Sequence, residues 1–210
     1  MEPASAWNYN IASDHKPLTT TGGHVWPAAR RLAEFFEIDS HVLGLNRTGV
    51  TVLELGAGVG WLGISMARNL PNLACMLLTE QEQGDGLTWL AHNVEINCST
   101  PNVARSVLVA PCDWGVFLNG RSQEEASSPA EALSDPLDPI ISSEPSLDFL
   151  LPASSVGRLD PRNGKPWDFI IGSDLIYTEE GCRALPKVMQ ALATKGHTQI
   201  YYCHTKHRYE

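Results

Sequence analysis

Short apolar runs alternate along this chain with segments whose apolar residues recur every three to four positions. Val50–Leu55, Leu73–Thr79, Val103–Val109, Asp168–Asp174 and Gln199–Cys203 are the runs, and each predicts a β-strand. Asp168–Asp174 is almost wholly apolar, which predicts burial on both faces. Leu62–Leu70, Leu87–Ile96 and Glu179–Ala193 carry the helical period. Pro71-Asn72 breaks the first of these, and Leu87, Leu90, Ala91 and Val94 share one side of the second. An earlier helix is predicted from Pro27, with Leu32, Phe35 and Phe36 spaced for one buried face. Strands alternating with helices imply right-handed crossovers and a mostly parallel sheet, an α/β fold.

Two stretches depart from the alternation. In the N-terminal arm, residues 1–24, Trp7, Tyr9 and Ile11 alternate with polar residues before Thr19-Thr20-Thr21-Gly22-Gly23, which predicts a small strand or hairpin. Residues 119–166 are rich in Ser, Pro, Glu and Asp and show no sustained period. They are expected to form a disordered insertion or long surface loop that interrupts the 25–210 domain without dividing it.

Composition narrows the class. A hydrophobic content of 43% over 210 residues suits one α/β domain with a sizeable core. No apolar run reaches the ~18 residues of a membrane span, and the first residues lack the basic and apolar regions of a signal peptide. Five scattered cysteines without a C-x-x-C pair suggest reduced thiols, in the cytoplasm or also the nucleus. A net charge of −9 argues against non-specific nucleic-acid binding and suits a basic protein partner. No H-E-x-x-H spacing suggests a metal, and no G-x-S-x-G elbow suggests a hydrolase. His204 and His207 are expected to be exposed tail residues.

The chemistry is concentrated at the ends of the predicted strands. Val50–Leu55 runs into Gly56, Gly58 and Gly60, with Glu54 before them and a helix after them. Strand, glycine turn and helix open a nucleotide-binding α/β unit. A dinucleotide fingerprint needs G-x-G-x-x-G, but Trp61 stands three residues after Gly58. The pattern E-x-G-x-G-x-G instead resembles the S-adenosylmethionine (SAM) turn of class I methyltransferases. In that reading the backbone of Gly56, Ala57 and Gly58 passes the methionine part of SAM. Glu80, 22 residues beyond Gly58, is placed to accept both ribose hydroxyls. Asp113 is placed to bond the adenine amino group and Trp114 to cover the ring. The fourth strand delivers Asp174, with Tyr177 three residues on. A carboxylate and an aromatic face there can hold a lysine ammonium. The alternative for Asp174 is an N-cap of the next helix. For Trp114 and Trp26 the alternative is ordinary packing, and for Glu80 an exposed loop carboxylate.

Four motifs stand in order: Gly23-His24-Val25-Trp26-Pro27-Ala28-Ala29, Leu53-Glu54-Leu55-Gly56-Ala57-Gly58-Val59-Gly60-Trp61-Leu62-Gly63, Asp113-Trp114-Gly115 and Asp174-Leu175-Ile176-Tyr177. Together they resemble the methyltransferase-like 21 type of protein-lysine N-methyltransferase, in seven-β-strand family 16. The resemblance implies a Rossmann-like sheet that binds SAM, with contacts at Trp26, Gly56, Ala57, Gly58, Glu80, Trp114 and Ser173. It implies that Asp174 and Tyr177 face the lysine of a non-histone protein, for which the family offers chaperones and translation factors. Amide and adenine methyltransferases resemble N/D-P-P-Y at the last motif, and those prolines are absent here. The sequence ends at Glu210, just past the fifth strand, so the strand 6–7 hairpin of the family is expected to be lacking. Three other readings stay open: an inactive SAM-binding or interaction module, a nicotinamide oxidoreductase, and a methyltransferase for small molecules or nucleic acids.

Overall fold

The computed structural model describes residues 7–12, 21–118 and 166–205. Among these residues five strands form one sheet: β1 (Val50–Leu55), β2 (Leu73–Glu80), β3 (Val107–Pro111), β4 (Phe169–Ser173) and β5 (Gln199–Cys203). Their order is β3-β2-β1-β4-β5, and every neighbouring pair is parallel. The order reverses beside β1, which pairs with β2 on one side and β4 on the other. That reversal opens a crevice at the carboxyl ends of the strands.

Helices cover both faces, and the alternation along β1 shows how. Val52 belongs to a cluster with Phe36 of α1 (Pro27–Leu43), Leu62 and Met66 of α2 (Trp61–Asn69) and Leu90 of α3 (Gly86–Asn97). Leu53 and Leu55 belong to a second cluster with Leu185, Val188 and Leu192 of α6 (Glu179–Leu192), which follows the short helices α4 (Pro101–Ser106) and α5 (Gly115–Leu118). Successive strand residues point to opposite faces, so a strand buried on both must be apolar throughout. Phe169, Ile170 and Ile171 of β4 are all fully buried, as expected. At the amino ends, the Asp168 carboxylate accepts from the N–H and hydroxyl of Thr51 at 2.9 and 3.1 Å. This ties β4 to β1 across 117 residues of sequence.

Three sequence expectations need correction. The third strand begins at Val107, not Val103, because Pro101–Ser106 forms a short helix, α4, with Thr100 at its N-cap position. Proline at a first helical position is preorganised for that turn. Phe35 is 38% exposed and leans on Tyr201 at 5.8 Å between ring centroids, so α1 buries Leu32 and Phe36 without it.

The third correction concerns the N-terminus, where residues 7–12 form no strand. Their period-2 pattern is real, since Trp7, Tyr9 and Ile11 pack on the core while Asn8, Asn10 and Ala12 are exposed. The backbone is satisfied by side chains instead of a ladder. Asn69 and Asn97, at the ends of α2 and α3, each donate and accept with the main chain of Asn8 and Ala12. Glu37 of α1 accepts from the Trp7 N–H and the Tyr9 hydroxyl. Tyr9 stacks on Trp61 at 5.5 Å, and Arg30 lies over the same indole at 4.9 Å. Thr21–Gly23 is a single 3-10 turn. The proposed insertion at 119–166, apart from Pro166, and any structure beyond Thr205 lie outside the described residues.

Gly63 is the tightest point of the α2–sheet contact. A Cβ there would stand 2.1 Å from Leu78 Cδ2 and 2.4 Å from Glu54 Oε2. Helix propensity favours alanine over glycine by up to ~1 kcal/mol. Overpacking a core costs about 1–3 kcal/mol, and both neighbours are themselves buried. Overlap therefore outweighs propensity: Gly63→Ala should lower the unfolding free energy by about 1–2 kcal/mol, read by urea denaturation.

Candidate functional site

One cavity of about 960 Å³ lies across the carboxyl ends of β1, β2, β3 and β4. Its lining contains all ten residues singled out from the sequence: Trp26, Gly56, Ala57, Gly58, Glu80, Asp113, Trp114, Ser173, Asp174 and Tyr177. They arrive from the carboxyl ends of these four strands and from the segment before α1.

The glycine turn is built by hydrogen bonds from β2. Ala57 N–H donates to Thr79 O at 2.8 Å, and Gly58 N–H donates to Glu80 Oε2 at 2.8 Å. Thr79 is fully buried and its hydroxyl donates to Glu54 O at 2.7 Å, locking the two strand ends together. Gly58 has a φ of 56°, and a Cβ would meet the carbonyl oxygen of Gly22 at 2.9 Å. Both the left-handed backbone and the docking of the Gly22–Trp26 segment demand glycine there. Trp26 occupies the N-cap position of α1, half-buried in the lining, so helix packing and a ligand contact are compatible. Glu80 is half-buried and also accepts from Gln81 N–H at 3.0 Å, so it is not a loose loop carboxylate.

Beyond β3, the exposed Asp113 accepts from Gly115 N–H at 2.8 Å. Trp114 is half-buried, its ring edge 3.7 Å from the position of a Cβ on Gly56. Beyond β4, Asp174 takes a φ of 51°, the only positive φ outside glycine among the described residues. Such strain costs on the order of 1–2 kcal/mol, although aspartate tolerates it better than most. Thr178, not Asp174, is the N-cap of α6: its hydroxyl accepts from Gly181 N–H at 3.0 Å. The Asp174 side chain is 5% exposed and is held instead by Thr205 and His204, past β5. Tyr177 is 66% exposed at the cavity mouth.

Sequence reasoning missed part of the lining. Glu54 is 2% exposed, and its Oε2 accepts from Gly63 N–H at 2.9 Å. An acid inside an otherwise apolar strand was the available signal. His204 is exposed as expected, but it lines the cavity and stacks on Tyr202 instead of trailing free; His207 lies outside the described residues. Glu82 and Glu180 also line the cavity. With Glu54, Glu80, Asp113 and Asp174 they make six acidic residues, and among the described residues the lining contains no Lys or Arg. Among the described residues no group of three His, Cys, Asp or Glu is arranged for a metal, and no helix is long and apolar enough to cross a membrane.

A parallel sheet reversing at β1, a glycine turn leaving that strand, and a cavity across the strand ends make a Rossmann-like α/β fold with a ligand crevice at the switch point. The family model described as lysine methyltransferase, family 16, matches residues 8–127 and 158–210, and the chain belongs to that family. A curated relative, a UPF0665 family protein of Schizosaccharomyces pombe, is 26% identical over 186 residues. That match covers 87% of this chain and 42% of the relative, so the chain spans less than half of the longer protein. Among solved structures, one from Galdieria sulphuraria titled as a sarcosine dimethylglycine methyltransferase is 13% identical with a TM-score of 0.44, covering 81% of this chain and 46% of that one. The precorrin-6y C5,15-methyltransferase of Geobacter metallireducens is 16% identical with a TM-score of 0.35, covering 76% and 58%.

The Glu54 carboxyl yields a pH prediction. Burial pushes it up from its ordinary 4.5 to about 8; the Gly63 N–H opposes this and the Glu80 charge adds to it. The folded protein therefore holds this proton more tightly than the unfolded chain. Its stabilising contribution is complete below about pH 4.5 and is lost as pH rises through about 8. Glu54→Gln keeps an oxygen for Gly63 and removes the ionisation. Its stability relative to the parent should rise between pH 5 and 9, by about 1 kcal/mol per pH unit at most. Parallel urea denaturation series of the two proteins give the comparison; a pH-independent difference would contradict the assignment.

Proposed function

We propose that this chain binds SAM in the cavity and transfers its methyl group to the side-chain amine of a lysine in a non-histone protein. The observation that carries the reading is the charge of the cavity: among the described lining residues Glu80, Glu82, Asp113, Asp174 and Glu180 are acidic, Glu54 is pushed toward its neutral form by burial, and none is Lys or Arg. SAM brings a sulfonium and an ammonium, and the acceptor lysine brings a further ammonium. Opposite charges at such distances are attractive in a partly desolvated site. A nicotinamide dinucleotide would instead bring a pyrophosphate into the same carboxylates, and the spacing of the glycines already disfavours it.

In this reading Gly56, Ala57, Gly58 and Trp26 hold the amino-acid end of the donor. Glu80 accepts from the ribose hydroxyls, Asp113 and Trp114 take the adenine, and Ser173 closes the β4 side. When bound, SAM supplies an activated methyl group. Asp174 and Tyr177 position the incoming lysine, the first by charge and the second by its aromatic face. Methyl transfer requires the neutral amine, and a free lysine has a pKa of roughly 10.4. A carboxylate favours the ammonium whereas desolvation disfavours it, so Asp174 orients the amine more than it deprotonates it. Proximity and alignment carry much of the rate. Tyr177 at the open mouth makes the site reachable by a side chain of a folded partner.

The experiment begins with thermal and urea unfolding of the 210-residue chain with SAM and, in parallel, NAD. SAM at 100 times its Kd should stabilise by about 2.7 kcal/mol, and NAD should not. Gly58→Val should abolish the SAM effect. Methyl-labelled SAM is then added with a protein extract, and methyl-lysine is located by mass spectrometry. Asp174→Asn should keep SAM binding and reduce transfer by ~30-fold or more, because one partner of a desolvated charge pair is lost. SAM binding without transfer would sink the enzyme reading and leave an interaction module. Stabilisation by NAD alone would sink both.

A further inference from the structure

Asp174 is gripped from the neighbouring strand by three successive residues. Its N–H donates to Cys203 O at 2.9 Å. Thr205 then donates twice to the carboxylate: its N–H to Oδ1 at 2.5 Å and its hydroxyl to Oδ2 at 2.8 Å. His204 Nδ1 stands 3.4 Å from Oδ1 and 3.1 Å from the Tyr202 hydroxyl. The grip bridges 31 residues of sequence and acts on a side chain that is 5% exposed.

The final torsion of an aspartate is soft, with a broad and roughly two-fold profile. One donor on each oxygen removes that freedom and fixes the carboxylate plane. A carboxylate has about four acceptor positions, so the two bonds from Thr205 leave capacity for an ammonium. Placement of a charged group within a fraction of an ångström is what a positioning site requires. Among the described lining residues Glu80 is also held through both oxygens, but by the glycine turn and its own successor, whereas Asp113 and Glu54 are held through one oxygen each; the grip on Asp174 comes from a segment 31 residues away.

We propose that Thr205 is a positioning residue for the acceptor amine, acting through Asp174. The inference rests on the methyl-transfer reading of this cavity. It makes the residues just past β5 part of the acceptor site, although the sequence motifs end at Tyr177.

Two donor analogues test it without an identified protein substrate. S-adenosylhomocysteine is uncharged at sulfur, whereas sinefungin carries an ammonium on the carbon that replaces it. Calorimetric titration of the full chain should give a preference for sinefungin of about tenfold, the size of a hydrogen bond to a charged group. Thr205→Val, which keeps the shape and loses the hydroxyl, should erase most of that preference and leave S-adenosylhomocysteine affinity unchanged. Thr205→Ser should restore it. A merely structural residue would weaken both ligands together. If both ligands bind and Thr205→Val keeps the parent ratio, or the parent shows no preference, the positioning inference is overturned while the donor site stands. If neither binds the parent, the donor-site reading falls and this inference with it. Should Thr205→Val fail to unfold cooperatively, Asp174→Asn is put to the same ratio and must lose it.

Discussion

The chain has to leave its central strand, turn, and enter a helix within a few residues, and that turn must present backbone instead of side chains. This constraint shapes the rest of the molecule. The left-handed conformation of Gly58 lets its N–H face Glu80 and leaves room for the carbonyl of Gly22. The first turn of α2 can then press Gly63 against Leu78 and Glu54. The packing of α2 on the sheet, the docking of the segment before α1, and the floor of the cavity all meet at the same few atoms. A side chain added at either glycine would disturb all three.

The carboxylates around the turn are arranged differently from one another, and the differences are informative. Glu54 is enclosed and has its carboxyl pushed up by burial. Glu80 spends its oxygens on backbone N–H groups of the turn and of Gln81. Asp174 is clamped at the far side of the cavity. Among the described residues that line the cavity, these groups find no Lys or Arg. A cationic ligand would relieve that imbalance, which links the electrostatics of the site to the reading of its function.

Much of this was legible in the sequence because it depends on local pattern. The β1 run, the glycine spacing and the Asp174–Tyr177 motif each follow from residues adjacent in the chain, and the sheet then brings them to one cavity. What escaped depends on distant partners. The alternation of Trp7, Tyr9 and Ile11 looked like a strand, but nothing local reveals that Asn69, Asn97 and Glu37 satisfy its backbone. Val103 reads as strand by composition, whereas Thr100-Pro101 starts a helical turn. Phe35 fits the helical period yet faces Tyr201 at the sheet edge. Thr205 carried no signal, since its partner lies 31 residues upstream in another connection.

The bond from Thr51 to Asp168 has a bearing on how the molecule is made. β1 lies in the middle of the finished sheet, but one of its two neighbours is encoded 117 residues later. A ribosome adding ~5–20 residues per second needs roughly 6–23 s to supply that neighbour. Through that interval β1 and β2 can pair, while the other edge of β1 offers a row of unmatched N–H and C=O groups on an apolar strand. The nascent protein is thus a template for unwanted strand addition before it has a cavity. That edge stays open to pairing until β4 emerges to cover it.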